Sequence, residues 1–158
     1  ARLAREAGIK NILVSNGYMT FEAAKDIAPL MDAANIDMKG FSEDFYKEMT
    51  KAHLQPVLDF CEYYNSIGGH LELANLIIPG KNDSSEMIDA YLSWVESKLG
   101  IETPLHFTAY HPDFEYDASP RTPAPLIYSI QEYAVSRGFP HVYAGNVFFD
   151  PRMPDLKA

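Results

Sequence analysis

The sequence predicts an α/β fold built on a parallel sheet, and three observations carry that prediction. Short apolar runs alternate along the chain with longer segments of helical spacing, and strands separated by helices join as parallel neighbours through crossovers. Runs such as Asn75-Leu76-Ile77-Ile78 suit a sheet covered on both faces. Glycines and prolines punctuate the segments, as at Gly8, Gly68, Gly69, Pro79, Gly80, Gly100 and Gly138, where they end helices or strands. Either an open doubly wound sheet or part of a β/α barrel fits this rhythm. In both, ligands bind at the carboxyl ends of the strands.

The elements follow in order. Residues 1–7 have helix-forming composition and stop at Gly8. Residues 11–15 form a run too short for a helix, hence a buried strand. Thr20 offers an N-cap to a helix over 21–28, disturbed by Pro29. Residues 35–39 read as a second strand, and Ser42 with Glu43 and Asp44 starts another helix, the acids suiting its dipole. Pro56 opens a helix through Ile67, and 70–78 is the third strand. Ser84 or Ser85 caps a helix carrying Met87, Ile88, Tyr91, Leu92, Val95 and Leu99. Residues 105–110 form the fourth strand, a Pro- and Asp-rich loop runs over 111–121, Thr122-Pro123 starts the last helix, and 141–144 is a fifth strand.

Composition narrows the function classes. The chain has 158 residues, 47% of them hydrophobic, which favours one domain, placed at 1–146 with a tail at 147–158. Thirteen Lys and Arg against 22 Asp and Glu give a formal charge of −9. That excess repels phosphate backbones and argues against nucleic acid as a partner. No stretch approaches the ~18 apolar residues of a membrane span, so no membrane partner is expected. Neither an initiator Met nor a signal-peptide stretch opens the chain, and a cytoplasmic location is the expectation. The one cysteine, Cys61, excludes an internal disulfide framework and a thiolate metal cage within this chain. It falls in an apolar helix and reads as core.

The strand ends carry the candidate chemistry. Ser15-Asn16-Gly17 offers short-range hydrogen bonds, either to its own turn or to a ligand. In 35–39, alternation puts Asn35, Asp37 and Lys39 on one face and Ile36 and Met38 on the other. Buried charges need partners, so Asp37 and Lys39 form either a self-satisfied ion pair or a polar wall facing a ligand. Glu72 and Asn75 are the unusual members of the third strand, on opposite faces if that strand is regular. The segment from Gly80 to Ser84 leads into a helix start, where a phosphate could sit, although a turn with an N-cap explains it as well. His111 closes the fourth strand. His106 and His111 could belong to a metal site, but no carboxylate or thiolate spacing completes one.

Taken together, Ser15-Asn16-Gly17-Tyr18, Asn35-Ile36-Asp37-Met38-Lys39, Asn75-Leu76-Ile77-Ile78-Pro79-Gly80-Lys81-Asn82-Asp83 and Ala109-Tyr110-His111-Pro112-Asp113 resemble the later half of a radical S-adenosylmethionine (SAM) enzyme. The pattern is most similar to the pyruvate formate-lyase activating enzyme group and to AmmeMemoRadiSam-type proteins. The resemblance implies a partial (β/α)6 barrel with a [4Fe–4S] cluster and SAM at the strand ends. It implies a fragment lacking the first two βα units, with the Cys-x3-Cys-x2-Cys cluster motif upstream. On the same basis Ser15, Asn16, Asp37, Lys39, Asn75 and His111 are SAM-side residues, with Asp37 and Lys39 at its methionine portion or a nearby cation and His111 near the ribose. The family's activity would be formation of a 5′-deoxyadenosyl radical for hydrogen abstraction from a substrate that the sequence does not name, a protein being one class. A non-catalytic binding or regulatory half-barrel, or a β/α enzyme taking a phosphorylated ligand at Gly80 to Ser84, are the alternatives. With two strands missing, the strand at 11–15 would expose an edge, and Leu13, Ala74, Leu76 and Phe107 are expected to form an uncovered inner face. The isolated chain is therefore expected to self-associate, or to lay its tail across the gap.

Overall fold

The computed structural model describes residues 1–113 and 115–147. The proposed tail, apart from Val147, lies outside the described residues. Five strands, β1 (Ile12–Ser15), β2 (Ala33–Asp37), β3 (His70–Ile77), β4 (Leu105–Ala109) and β5 (Val142–Gly145), are joined by helices. These are α2 (Phe21–Ile27), α3 (Glu43–Phe45), α4 (Gln55–Ser66), α5 (Ser85–Trp94) and α6 (Ala124–Ser136), with a short α1 (Arg2–Glu6) ahead of β1. Helix starts follow side-chain chemistry. Thr20, Ser42 and Ser84 each accept a hydrogen bond from the backbone N–H three residues on, at Ala23, Phe45 and Met87. At their ends, α3 and α5 widen into single π-type turns, Tyr46–Thr50 and Val95–Leu99.

The sheet order is β1-β2-β3-β4-β5 with every pairing parallel. A sequential order without reversal sends every connecting helix to one side. Burial agrees: β3 alternates from exposed His70 and buried Leu71 to half-buried Leu76 and buried Ile77. The sheet is therefore an open segment of a β/α barrel and not a doubly wound sheet. Among the described residues, no second helical layer supplies the expected cover on the other face.

Register settles which residues share a face. Ala34, Ile36, Leu71, Leu73, Asn75, Ile77, Leu105, Phe107 and Val142 point to the helices. Ile36, Leu73, Ile77, Leu105 and Phe107 are fully buried there with Val57, Phe60, Cys61, Leu92 and Ile127 from the helices. Val14, Asn35, Asp37, Glu72, Ala74, Leu76, His106, Thr108 and Tyr143 share the open face. The expected inner face of Leu13, Ala74, Leu76 and Phe107 is thus corrected. Leu13 pairs with Ala34 and Phe107 with Asn75, so both lie on the helix side, while Ala74 and Leu76 lie on the open side. A one-residue offset between strands reverses every side chain.

One boundary matters for the site. The second strand begins at Ala33 and ends at Asp37, two residues before the predicted end. The Met38 N–H donates both to Ile36 O at 3.0 Å and to Ala74 O at 2.8 Å. The tight turn toward Ile36 bends the chain, and Lys39 leaves the ladder just beyond the strand.

Candidate ligand site at the strand ends

Asp37 and Lys39 meet at the carboxyl end of β2, with Lys39 Nζ 2.9 Å from Asp37 Oδ2 and both side chains partly open to solvent. Between them Met38 is fully buried, which anchors the backbone and fixes both charged neighbours on the open side. Tyr46 reinforces this anchor: its hydroxyl accepts from Lys39 N at 3.3 Å and lies 3.4 Å from Met38 Sδ. Burial pushes the Tyr46 phenol up to about 12, so it remains a neutral donor.

Asn82, only 1% exposed, is the residue that sequence reasoning missed. Its Nδ2 donates to Lys39 O and to Leu76 O, both at 2.8 Å, and its Oδ1 accepts from Ile78 N at 2.6 Å. One side chain therefore ties the end of β2 to the end of β3 through three backbone groups. The available signal was an Asn in a Pro-Gly-x-Asn turn, a composition that also fits an ordinary turn.

The remaining candidates are distributed differently. Ser15 Oγ accepts from Gly17 N at 3.1 Å and Asn16 Oδ1 accepts from Tyr18 N at 3.0 Å. Both oxygens thus support the turn after β1, leaving the Ser15 hydroxyl proton and the Asn16 amide nitrogen for other partners. Gly17 is required in that turn, since its φ is +69° and a Cβ would lie 2.9 Å from Ile36 Cγ2. Asn75, 2% exposed, faces the helices and reaches Asn82 at 3.5 Å, so it lies on the opposite side of the sheet from Asp37. His111, at the end of β4, has its Nδ1 2.5 Å from Asp113 Oδ2. Its loop is fastened over the strand ends by Thr122, whose Oγ1 donates to Ile77 O at 2.6 Å, and by Ser119, whose Oγ donates to Pro79 O at 3.1 Å. Asp37 and Lys39 are brought together, whereas β3 stands between them and His111.

At Gly80 to Ser84, the phosphate alternative, three backbone donors are engaged within the turn itself. Gly80 N donates to Asp83 Oδ1, Lys81 N and Asn82 N to Ile78 O, and Met87 N to Ser84 Oγ. The segment is a turn and an N-cap.

Comparison with known proteins bears on this arrangement. No protein-family model matches the chain. An uncharacterized protein of Methanocaldococcus jannaschii is 40% identical over 145 residues, covering 92% of this chain and 43% of that protein. The chain thus spans less than half the length of this curated relative. Among solved structures, a domain of pyruvate-formate lyase-activating enzyme from Bacteroides vulgatus superposes with a TM-score of 0.76 at 13% identity, covering 89% of this chain and 84% of that one. A radical SAM methyltransferase from Sphaerobacter thermophilus gives 0.70 at 13% identity over 87% and 42%. Streptococcus suis SuiB bound to S-adenosylmethionine gives 0.65 at 11% identity over 90% and 32%.

This chain has the fold of part of a radical SAM barrel.

In this radical SAM-type segment the only cysteine is Cys61. It is fully buried among core side chains, and burial pushes its thiol up to about 12. A cluster ligand must be a thiolate, so Cys61 does not fit that role. Among the described residues, no group of three or more His, Cys, Asp and Glu is placed to hold a metal ion, and no helix is long and apolar enough to cross a membrane. His106 does not join His111. Its Nε2 lies 2.8 Å from Glu72 Oε2, and His70 Nε2 lies 3.0 Å from Glu72 Oε1. The His70 bond is the largest influence on the Glu72 carboxyl; burial opposes it, the His106 bond adds to it, and the carboxyl is held below its usual range.

Proposed function

We propose that the strand-end face of this barrel segment binds S-adenosylmethionine, with Asp37 and Lys39 receiving its amino-acid portion. The observation that carries the reading is the Asp37–Lys39 pair itself, 2.9 Å apart on the open face and held by buried Met38 and Asn82 behind it. An ammonium beside a carboxylate is charge-complementary to a zwitterionic amino acid: Lys39 matches its carboxylate and Asp37 its ammonium. The Asn16 amide nitrogen and the His111 ring have donors or acceptors suited to ribose hydroxyls, whereas Ser15, paired with Ile36, lies on the helix side and braces its own turn. Asn75 acts only from the helix side, beside Asn82. The fold shared with a domain of pyruvate-formate lyase-activating enzyme supports the choice of ligand.

Bound in a radical SAM enzyme, SAM supplies the carbon radical that abstracts a substrate hydrogen. An iron–sulfur cluster does not fit the residues of this chain, so its own share of such chemistry is to bind, orient and shield. Within the longer polypeptide that the Methanocaldococcus relative exemplifies, we place this segment as the ligand-positioning part of a radical SAM enzyme, with an activase-like protein substrate as its finer form.

Calorimetric titration of the chain with SAM and with adenosine tests the reading. SAM is expected to bind at least about tenfold more tightly than adenosine, and Lys39→Ala or Asp37→Asn to remove that margin. Equal binding of SAM by the parent and both variants would reduce the pair to a self-satisfied ion bridge.

A further inference from the structure

The open face carries a second group of side chains that the SAM reading leaves unused. Glu72 stands between His70 and His106, one carboxylate oxygen bonded to each ring. The His106 ring stacks on Tyr143 with centroids 5.0 Å apart and planes 23° apart, and Tyr143 is 49% exposed. Ala74 separates this group from Asp37, being paired in register with Asp37 on one side and with His106 on the other. Neighbouring strands lie about 4.8 Å apart, so the two groups flank a floor one small residue wide. Leu76 and Thr108 continue that floor toward the strand ends, and Val14 and Asn35 border it on β1 and β2.

The chemistry of the group is constrained. An ionised carboxylate only accepts hydrogen bonds, so Nε2 of each imidazole carries a proton toward Glu72. In neutral His106 the other nitrogen, Nδ1, is then an acceptor, and among the described residues no bond engages it. This is the logic by which a carboxylate fixes the tautomer of a working histidine. With the imidazoles neutral, Glu72 is hydrogen-bonded through both oxygens but keeps its negative charge, and Lys39 is already paired with Asp37. An anionic ligand would be repelled by that charge. A neutral ligand with an apolar body and one donor would not.

We propose that Glu72, His106 and Tyr143 form a separate ligand site on the open face, taking a small aromatic compound with one O–H or N–H donor. The donor bonds to His106 Nδ1, and the ring packs over Ala74 and Leu76 against Tyr143. Glu72 is the positioning residue, and His106 is the recognition residue. The site does not depend on SAM binding, since none of the three belongs to the Asp37–Lys39 pair.

The test uses the whole 158-residue chain with isotope-labelled histidine and tyrosine, titrated near neutral pH with p-cresol and, separately, with toluene. The two probes have similar apolar bodies and differ in the hydroxyl. The expected result is saturable movement of the His106 Nδ1 and Tyr143 ring resonances with p-cresol, and binding at least about tenfold weaker with toluene, the worth of one buried hydrogen bond. His106→Phe should make the two probes equivalent, and Glu72→Gln should weaken p-cresol alone. The comparison of probes on the parent chain needs no variant to fold. Equal responses to both probes, responses confined to other residues, or a neutral His106 protonated on Nδ1 would each overturn the proposal. A parallel SAM titration followed at Asp37 and Lys39 reports on the strand-end site separately, so either reading can fail while the other stands.

Discussion

The two faces of the sheet are built from alternate residues of the same strands, yet they follow different rules. On the helix side, Ile36, Leu73, Ile77, Leu105 and Phe107 are fully buried, and of the two polar strand residues there Asn75 lies beside Asn82 and Ser15, paired with Ile36, accepts from Gly17 N. On the open side, Ile12 and Val14 are 67% and 74% exposed while Asp37, Glu72 and His106 form bonds with other side chains. The helix face holds the fold together by removing apolar area from water, and the open face is chemically specialised at some cost in cover. A lesson follows for reading such segments: a polar residue on the covered face braces the backbone, and a polar residue on the open face is available to a ligand.

The largest expected effect breaks the comparison on its covered side. Phe107 is fully buried and meets the Tyr91 ring edge-on at 6.1 Å. Phe107→Ala should cost about 3–5 kcal/mol of stability, measured by urea unfolding, because it opens a cavity in a packed layer. A loss below about 1 kcal/mol would mean that the helix face is not the main source of stability.

A smaller effect, on the open face, is tied to pH. The folded Glu72 carboxyl titrates below its unfolded value near 4.5, so its contribution is present above that value. It is lost as pH falls from there through the lower folded value. Glu72→Gln should therefore cost about 1 kcal/mol or less at pH 7 and flatten the stability profile below pH ~4.5. An acid limb identical in parent and variant would detach Glu72 from the linkage.

The smallest effect on folding should come from Val14→Ser, within about 0.5 kcal/mol, because the residue is already in water. Its effect on association should be larger. Among the described residues, strand β1 has a strand on one side only, and we propose that Ile12 and Val14 beside that edge favour pairing between copies. Sedimentation of the parent should reveal self-association that Val14→Ser weakens. A parent that stays monomeric at high concentration would remove this proposal.

The parts of this fold that were legible in the sequence are those determined locally. Thr20, Ser42 and Ser84 announce helix starts because a cap bonds only three residues ahead. The pairing of Asp37 with Lys39 around buried Met38 is also local, although β2 ends at Asp37 and Lys39 lies just beyond the strand. What was not legible depends on pairing between distant segments. The side on which Leu13 and Phe107 lie is set by register with Ala34 and Asn75, which no local pattern states. His106 and Glu72 are 34 positions apart, and the bond from Asn82 to the Lys39 carbonyl spans 43. Both belong to the assembled fold and not to any window of sequence.

The three hydrogen bonds of the Asn82 side chain have a bearing on motion. Lys39, Leu76 and Ile78 share one buried side chain, so the ends of two strands cannot loosen independently, and opening either must break the same set of bonds. The Ile78 amide, just past the last residue of β3, should exchange with solvent as slowly as amides inside the strand. A ligand arriving beside Lys39 would meet a backbone already immobilised, and its binding entropy would be spared the ordering of that loop.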